Sequence, residues 1–219
     1  MLYVIVTGRS LLWVLVSLTA LLLMLSALFS PKWLVATPTD VTVQNKTLTY
    51  TASLGIYTRC KIMKNEFFCS TIAVRGLATD SDVFPTVWKT SMVFICLGLT
   101  VMCLTVVSGL FSFCFQSIFR KSIFTISGAT QVFAGMFYIL GIMLYPMAWG
   151  TTRVQSFCGK DASPFYPDNC GLGWGLWCAT IATILTFISA CLSVPAEKST
   201  SSDKIQDQIY EGRTLICLA

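Results

Sequence analysis

A chain of 219 residues that is 55% hydrophobic and only 11% charged cannot cover a globular surface with charge, because soluble domains carry about a quarter charged residues. Its formal net charge of +5 is scattered along the sequence rather than gathered in a basic stripe, which argues against nucleic acid as a partner. Histidine is absent and no Cys-x-x-Cys pair occurs, so no zinc site, no other metal and no cofactor is expected.

Four runs lack Asp, Glu, Lys and Arg, at residues 10–31, 90–119, 122–152 and 170–196. Each supplies the roughly 20 apolar residues that cross a bilayer core. Backbone groups in lipid must satisfy one another, so each run is read as a helix. The expected organisation is one tetraspan membrane domain over residues 1–219. Its spans fall near 10–31, 90–119, 122–149 and 171–195, its outer loops near 32–89 and 150–170, and its tail at 196–219. The first run has a longer apolar core than a signal peptide, so it is read as an uncleaved span. Pro146 lacks an amide hydrogen and should kink or end the third helix.

The first loop is too long for a simple connector. Its stretch "TDVTVQNKTLTYT" alternates β-branched with polar residues around Gln44-Asn45-Lys46, and "LGIYTRC" precedes "KIMKNEFFC", with a turn near Lys64-Asn65-Glu66. A small antiparallel sheet is the expected outcome. Cys60 and Cys69 share this loop, while Cys158 and Cys170 share the other. Two free thiols are the alternative to a Cys60–Cys69 bridge. A Cys60–Cys69 bond would close a loop of about ten residues, worth about 2.5–3 kcal/mol in the chain-entropy model.

Orientation rests on these loops. Paired cysteines suit an oxidising compartment. Asn45-Lys46-Thr47 forms a glycosylation sequon, which has meaning only on the lumenal side, chance being the other reading. Both loops are therefore expected outside and both termini in the cytosol. Trp33, Trp88, Trp149, Trp174 and Trp177 all lie at the outer span ends, where indole rings favour the headgroup layer. Cys96, Cys103, Cys178 and Cys191 lie within spans and read as packing residues. Cys114, near the inner end of the second span, is a candidate for palmitoylation, with packing as the alternative.

The span interiors carry no charge, whereas transporters and proton paths use charged groups near the midplane. A pore working alone is disfavoured. Gly128, Gly135 and Gly141 with Ala134 mark one span and Ala179 with Ala182 another, positions where helices approach closely, here within the chain's own bundle. No histidine, no G-x-S-x-G elbow and no intramembrane Asp pair is present, so catalysis is not expected. In the tail, Asp203 can begin a short helix with Ile205 and Ile209 on one face and Gly212 at its end. Glu211-x-x-x-Leu215-Ile216 fits the acidic dileucine form of a sorting signal. An acid beside two aliphatics suits a basic rim next to an apolar pocket on a sorting adaptor.

Trp33, then Gly55-Ile56-Tyr57, Cys60 and Cys69, resembles the W–GLW–C–C signature of the claudin-like superfamily, with Tyr57 where claudins carry Trp. "VIVTGRSLLW", "QSIFRKSIF", "LYPMAWGTTRVQSFCG", "DNCGLGW" and the tail "SSDKIQDQIYEGRTLICLA" are similar to the lipoma HMGIC fusion partner-like (LHFPL) tetraspan family, nearest its second subfamily. The resemblance implies an all-α transmembrane four-helix bundle of claudin-like type, with a small extracellular antiparallel β-sheet and a Cys60–Cys69 bridge. It also implies an accessory protein that assembles with other integral membrane proteins, such as channels, receptors or adhesion proteins, and supports their delivery or surface organisation. The plasma membrane, with endosomal and lysosomal membranes, is the expected location. A claudin-type cell–cell contact protein is the alternative. Side chains of Arg59, Lys61 and Lys64 would face a partner.

Overall fold

The computed structural model describes residues 4–43, 46–63, 66–71, 85–112, 117–118, 121–211 and 215–218. In chain order it has β1 (Val4–Thr7), α1 (Gly8–Phe29), β2 (Leu34–Val35), β3 (Thr39–Val43), β4 (Lys46–Tyr50), β5 (Ser53–Leu54), β6 (Thr58–Met63) and β7 (Glu66–Thr71). Then come α2 (Thr86–Phe111), β8 (Ser117–Ile118), β9 (Lys121–Ser122), α3 (Ile123–Met147), a 3-10 turn (Ala148–Gly150) and α4 (Thr152–Cys158). β10 (Gly171–Leu172), α5 (Trp174–Thr200), α6 (Asp203–Tyr210) and β11 (Leu215–Leu218) complete it. Four helices are long and apolar enough to span a bilayer: α1, α2, α3 with its 3-10 extension, and α5. They expose large apolar side chains such as Leu22, Leu104, Phe133 and Ile184, which water would not solvate and acyl chains do. The molecule is a multi-pass membrane protein with four spans.

Helix ends follow local chemistry. Thr7 caps α1: its hydroxyl oxygen accepts from the Ser10 amide at 3.2 Å, and Ser10 Oγ accepts from the Thr7 amide at 3.1 Å. This is a capping box with Ser in the place of the usual acid or amide. At the other end of α1, the Ala27 carbonyl accepts from the Trp33 indole at 2.7 Å, filling an acceptor that a helix C-terminus leaves open. α2 stops at Phe111 although the uncharged run continues to 119. The Ser112 hydroxyl donates to Gly109 O at 2.6 Å there, and residues 117–118 pair with 121–122 as a short hairpin instead. α3 runs only one residue past Pro146 before the 3-10 turn. α5 carries Pro195 within it and continues to Thr200, five residues beyond the expected span.

The chain forms two compact units, one of Met1–Leu22, Leu97–Phe137 and Ile181–Ala219, the other of Leu23–Cys96 and Tyr138–Thr180. In the first, which carries both termini, the buried polar side chains among the described residues are hydroxyls plus one amide, Gln131. Most hydroxyls bond a carbonyl on their own helix, as Thr186 does to Ala182 O and Ser193 to Ala190 O, so they are buried without needing partners across the interface. Gln131 instead bonds across to α1. Its Oε1 accepts from Trp13 Nε1 at 3.3 Å, its Nε2 donates to Ser17 Oγ at 2.8 Å, and Ser17 donates in turn to Trp13 O at 2.8 Å. This closed network fixes the register of α1 against α3. Trp13 also packs with Val14, Phe124 and Ala196. Gly135 lies against the Phe187 ring, where a Cβ would stand 2.6 Å from Cζ. The small residues thus serve contact within the chain.

The second unit holds a five-stranded sheet in the order β10-β2-β5-β6-β7, antiparallel throughout. β3 and β4 form a separate hairpin with Val43 opposite Lys46. In the main sheet Met63 stands opposite Glu66. The two hairpins arise from the alternating stretches, while β10 comes from the other loop. Three cysteines outside the disulfides, Cys96, Cys103 and Cys191, lie on exposed helix faces rather than in the core expected of packing residues. A thiol is small and apolar enough for lipid as well as for protein.

Replacing Gln131 by Leu leaves the Trp13 indole hydrogen buried without its acceptor. The expected cost is about 1–2 kcal/mol, seen as a lower thermal midpoint in detergent with helix content unchanged in far-UV circular dichroism.

Candidate functional site: the joint between sheet and helices

Three tryptophan side chains meet around Tyr145 on α3. Trp88 of α2 stacks on it with centroids 5.3 Å apart, and Trp33 meets it edge-on at 4.8 Å. Trp149 of the 3-10 turn lies edge-on at 6.1 Å. All four are buried, Trp33, Trp88 and Tyr145 completely. Such pairs add about 0.5–1.5 kcal/mol each beyond area burial. Three of the four, Trp33, Trp88 and Tyr145, also use their polar atoms. Trp88 Nε1 donates to Tyr145 O at 3.0 Å, and Tyr145 Oη donates to Leu54 O on β5 at 3.3 Å. Close by, Gly141 on α3 meets Ser91 on α2, whose hydroxyl donates to Gly141 O at 2.6 Å.

The position of these tryptophans at span ends thus has a different cause from the one expected. Trp33, Trp88 and Trp149 are core residues of the protein, not headgroup anchors. Trp174 and Trp177 are half-exposed on α5 and remain suited to an interfacial layer.

The signature residues gather at this joint. Gly55 is buried with its amide donating to Thr58 O at 2.8 Å. A Cβ there would overlap Ser30 O and come within 2.9 Å of Pro31 Cα, so only glycine fits. Ile56 is fully buried and Tyr57 partly so. Cys60 and Cys69 stand opposite each other on β6 and β7 and form a disulfide with Cα atoms 4.1 Å apart. Arg59 and Lys61 lie on β6. Asn45, Lys64, Cys114 and Gly212 lie outside the described residues.

The other loop is built separately. Cys158 ends α4 and bonds Cys170, with Cα atoms 5.1 Å apart. Gly159 follows with φ +135°, a conformation natural only to glycine. Ser163 and Tyr166 exchange backbone bonds of 3.0 and 2.9 Å, and the Phe165 amide donates to Pro146 O at 3.0 Å. Phe165 and Asp168 adopt positive φ, at 65° and 52°. On this held backbone Phe165 and Tyr166 are 58% and 57% exposed. Exposed aromatics on rigid backbone are the residue types that dominate protein contacts. Neither ring is among the residues singled out from the sequence, although both stand between Pro164 and Pro167. "SPFYPD" held the signal: aromatics between prolines inside a disulfide loop.

In the tail, α6 forms as expected, with Ile205 buried. Glu211 is exposed, whereas Ile216 is buried within β11. Among the described residues no group of three His, Cys, Asp or Glu side chains is placed to hold a metal ion.

Comparison with known proteins is consistent in kind. A family profile described as "Lipoma HMGIC fusion partner-like protein" matches residues 9–195. The chain is 39% identical to the LHFPL tetraspan subfamily member 2a protein of Danio rerio, and 37% identical to the member 2 protein of Homo sapiens, in each case over the full length of both chains. It is 25% identical to the human member 4 protein over 63% of this chain and 55% of that one.

Gly55→Ala is expected to prevent docking of β5 and β6 against the end of α1, cutting the yield of folded protein several-fold, read by size-exclusion chromatography of the detergent-extracted chain. Cys60→Ser should be milder, costing about 2.5–3 kcal/mol, seen as loss of thermal stability in the protein that still folds.

Proposed function

Because the chain belongs to the lipoma HMGIC fusion partner-like tetraspan family, we propose that it is a non-enzymatic accessory protein that binds other integral membrane proteins and supports their trafficking or surface organisation. The observation that carries this reading is the chemistry of its interior. Every buried polar side chain among the described residues is a serine, a threonine or Gln131, neutral groups suited to packing rather than to acid–base work or ion passage. What the molecule offers is surface: a sheet fixed to its helices, a rigid loop bearing Phe165 and Tyr166, and apolar helix faces.

The two loop disulfides favour an oxidising compartment for both loops. This orientation leaves both termini in the cytosol and puts the Asn45 sequon on the glycosylated side. In the cytosol the Glu211–Leu215–Ile216 determinant can reach sorting adaptors, which fits residence at the plasma membrane and in endosomal or lysosomal membranes.

Crosslinking in native membranes should couple the protein to a different integral membrane protein in fixed ratio. Capture only of its own copies, arrayed as strands at cell contacts, would instead support a claudin-type contact protein. Phe165→Ala with Tyr166→Ala should weaken partner capture by about tenfold, as loss of an aromatic contact worth 1.4 kcal/mol does, without loss of the Cys158–Cys170 bond. Leu215→Ala with Ile216→Ala should raise the surface-to-total ratio in a biotinylation assay, and an unchanged ratio would sink the sorting role.

A further inference from the structure

The end of the chain folds back onto its beginning. β11 pairs in parallel with β1, setting Val4 beside Leu215, Ile5 beside Ile216, Val6 beside Cys217 and Thr7 beside Leu218. Ile216 and Ile205 are each 1% exposed and Ile5 3%, and the three form a small apolar cluster of their own. The receiving strand is anchored in turn. Thr7 closes the capping box of α1, and its hydroxyl meets Ser199 Oγ of α5 at 2.7 Å. β1, β11 and α6 therefore make a closed assembly at the terminal end of the molecule.

This arrangement conflicts with what an adaptor requires. An acidic dileucine signal is read as an extended peptide that inserts both aliphatic side chains into a pocket of the reader. Ile216 cannot fill such a pocket while it fills the cluster with Ile5 and Ile205. Nor can the backbone of residues 215–218 present itself freely while it is paired with β1. We infer that the C-terminal tail is a self-closed sorting signal: β1 and α6 hold Ile216, and sorting adaptors gain access only when the β1–β11 ladder parts. The inference rests on the reading of Glu211–Leu215–Ile216 as a cytosolic sorting determinant. Apparent affinity for the adaptor is then the intrinsic affinity scaled by the open fraction. Any event that separates the two termini strengthens sorting without touching the signal itself.

The test uses the full chain in cells. Ile5→Asp and Ile205→Asp each place a charge in the cluster, one from the N-terminal strand and one from α6. Each is compared with and without Leu215→Ala and Ile216→Ala. Retention of both loop disulfides identifies variants that have folded. Val6→Cys provides a direct report of closure, since its register partner is the native Cys217; mild oxidation of isolated membranes should couple the two, and Ile5→Asp should abolish the coupling.

The expected result is a fall of at least about twofold in surface-to-total ratio for either Asp variant, reversed by Leu215→Ala with Ile216→Ala. If removing the dileucine raises the ratio but both Asp variants leave it unmoved despite lost coupling, the closed tail is refuted and the sorting signal stands. If neither set of changes moves the ratio, the sorting signal itself falls and the inference with it.

Discussion

The Tyr145 ring is the point on which the loop-bearing unit depends. It stacks on Trp88, receives the edge of Trp33, and spends its hydroxyl on a sheet carbonyl, Leu54 O. One side chain thereby joins α2, α3, the end of α1 and β5. Short strands have little core of their own and are at best marginal alone in water. β2 and β5 are two residues each, so they persist because the aromatic joint and the disulfide hold them. Gly55 completes the joint by letting the chain pass against Ser30 and Pro31.

The residues of the Trp33, Gly55-Ile56-Tyr57, Cys60 and Cys69 pattern are therefore structural. Trp33 closes α1, Gly55 and Ile56 seat the sheet, and the cysteines staple β6 to β7. None is free to bind a ligand without releasing the platform. The platform displays Phe165 and Tyr166 apart from this joint.

The four spans were legible because an uncharged run of 20 or more residues has few other uses. Helix ends were less so. Charge marks where lipid stops, not where hydrogen bonding stops, so α2 ended at Phe111 inside the run while α5 passed through Pro195, Glu197 and Lys198. The two hairpins could be read from alternation. β10 and the β1–β11 ladder could not, since a two-residue strand has no period and parallel pairing of the termini leaves no local trace. The Tyr145 cluster was half visible. Its tryptophans stood out at the span ends, but composition cannot tell an indole facing headgroups from one facing a tyrosine. The exposure of Phe165 and Tyr166 was not legible, because a loop has no periodicity to mark which of its side chains are exposed.

The most direct test of this account is amide hydrogen exchange across the sheet in Tyr145→Ala and Tyr145→Phe, measured on the full chain in lipid nanodiscs. The account predicts that Ala speeds exchange in residues 34–35 and 53–60 by at least about tenfold while the spans stay protected, and that Phe, which keeps the stack and loses one hydrogen bond, has a much smaller effect. Unchanged protection of these strands in Tyr145→Ala would show that the sheet does not depend on the aromatic joint.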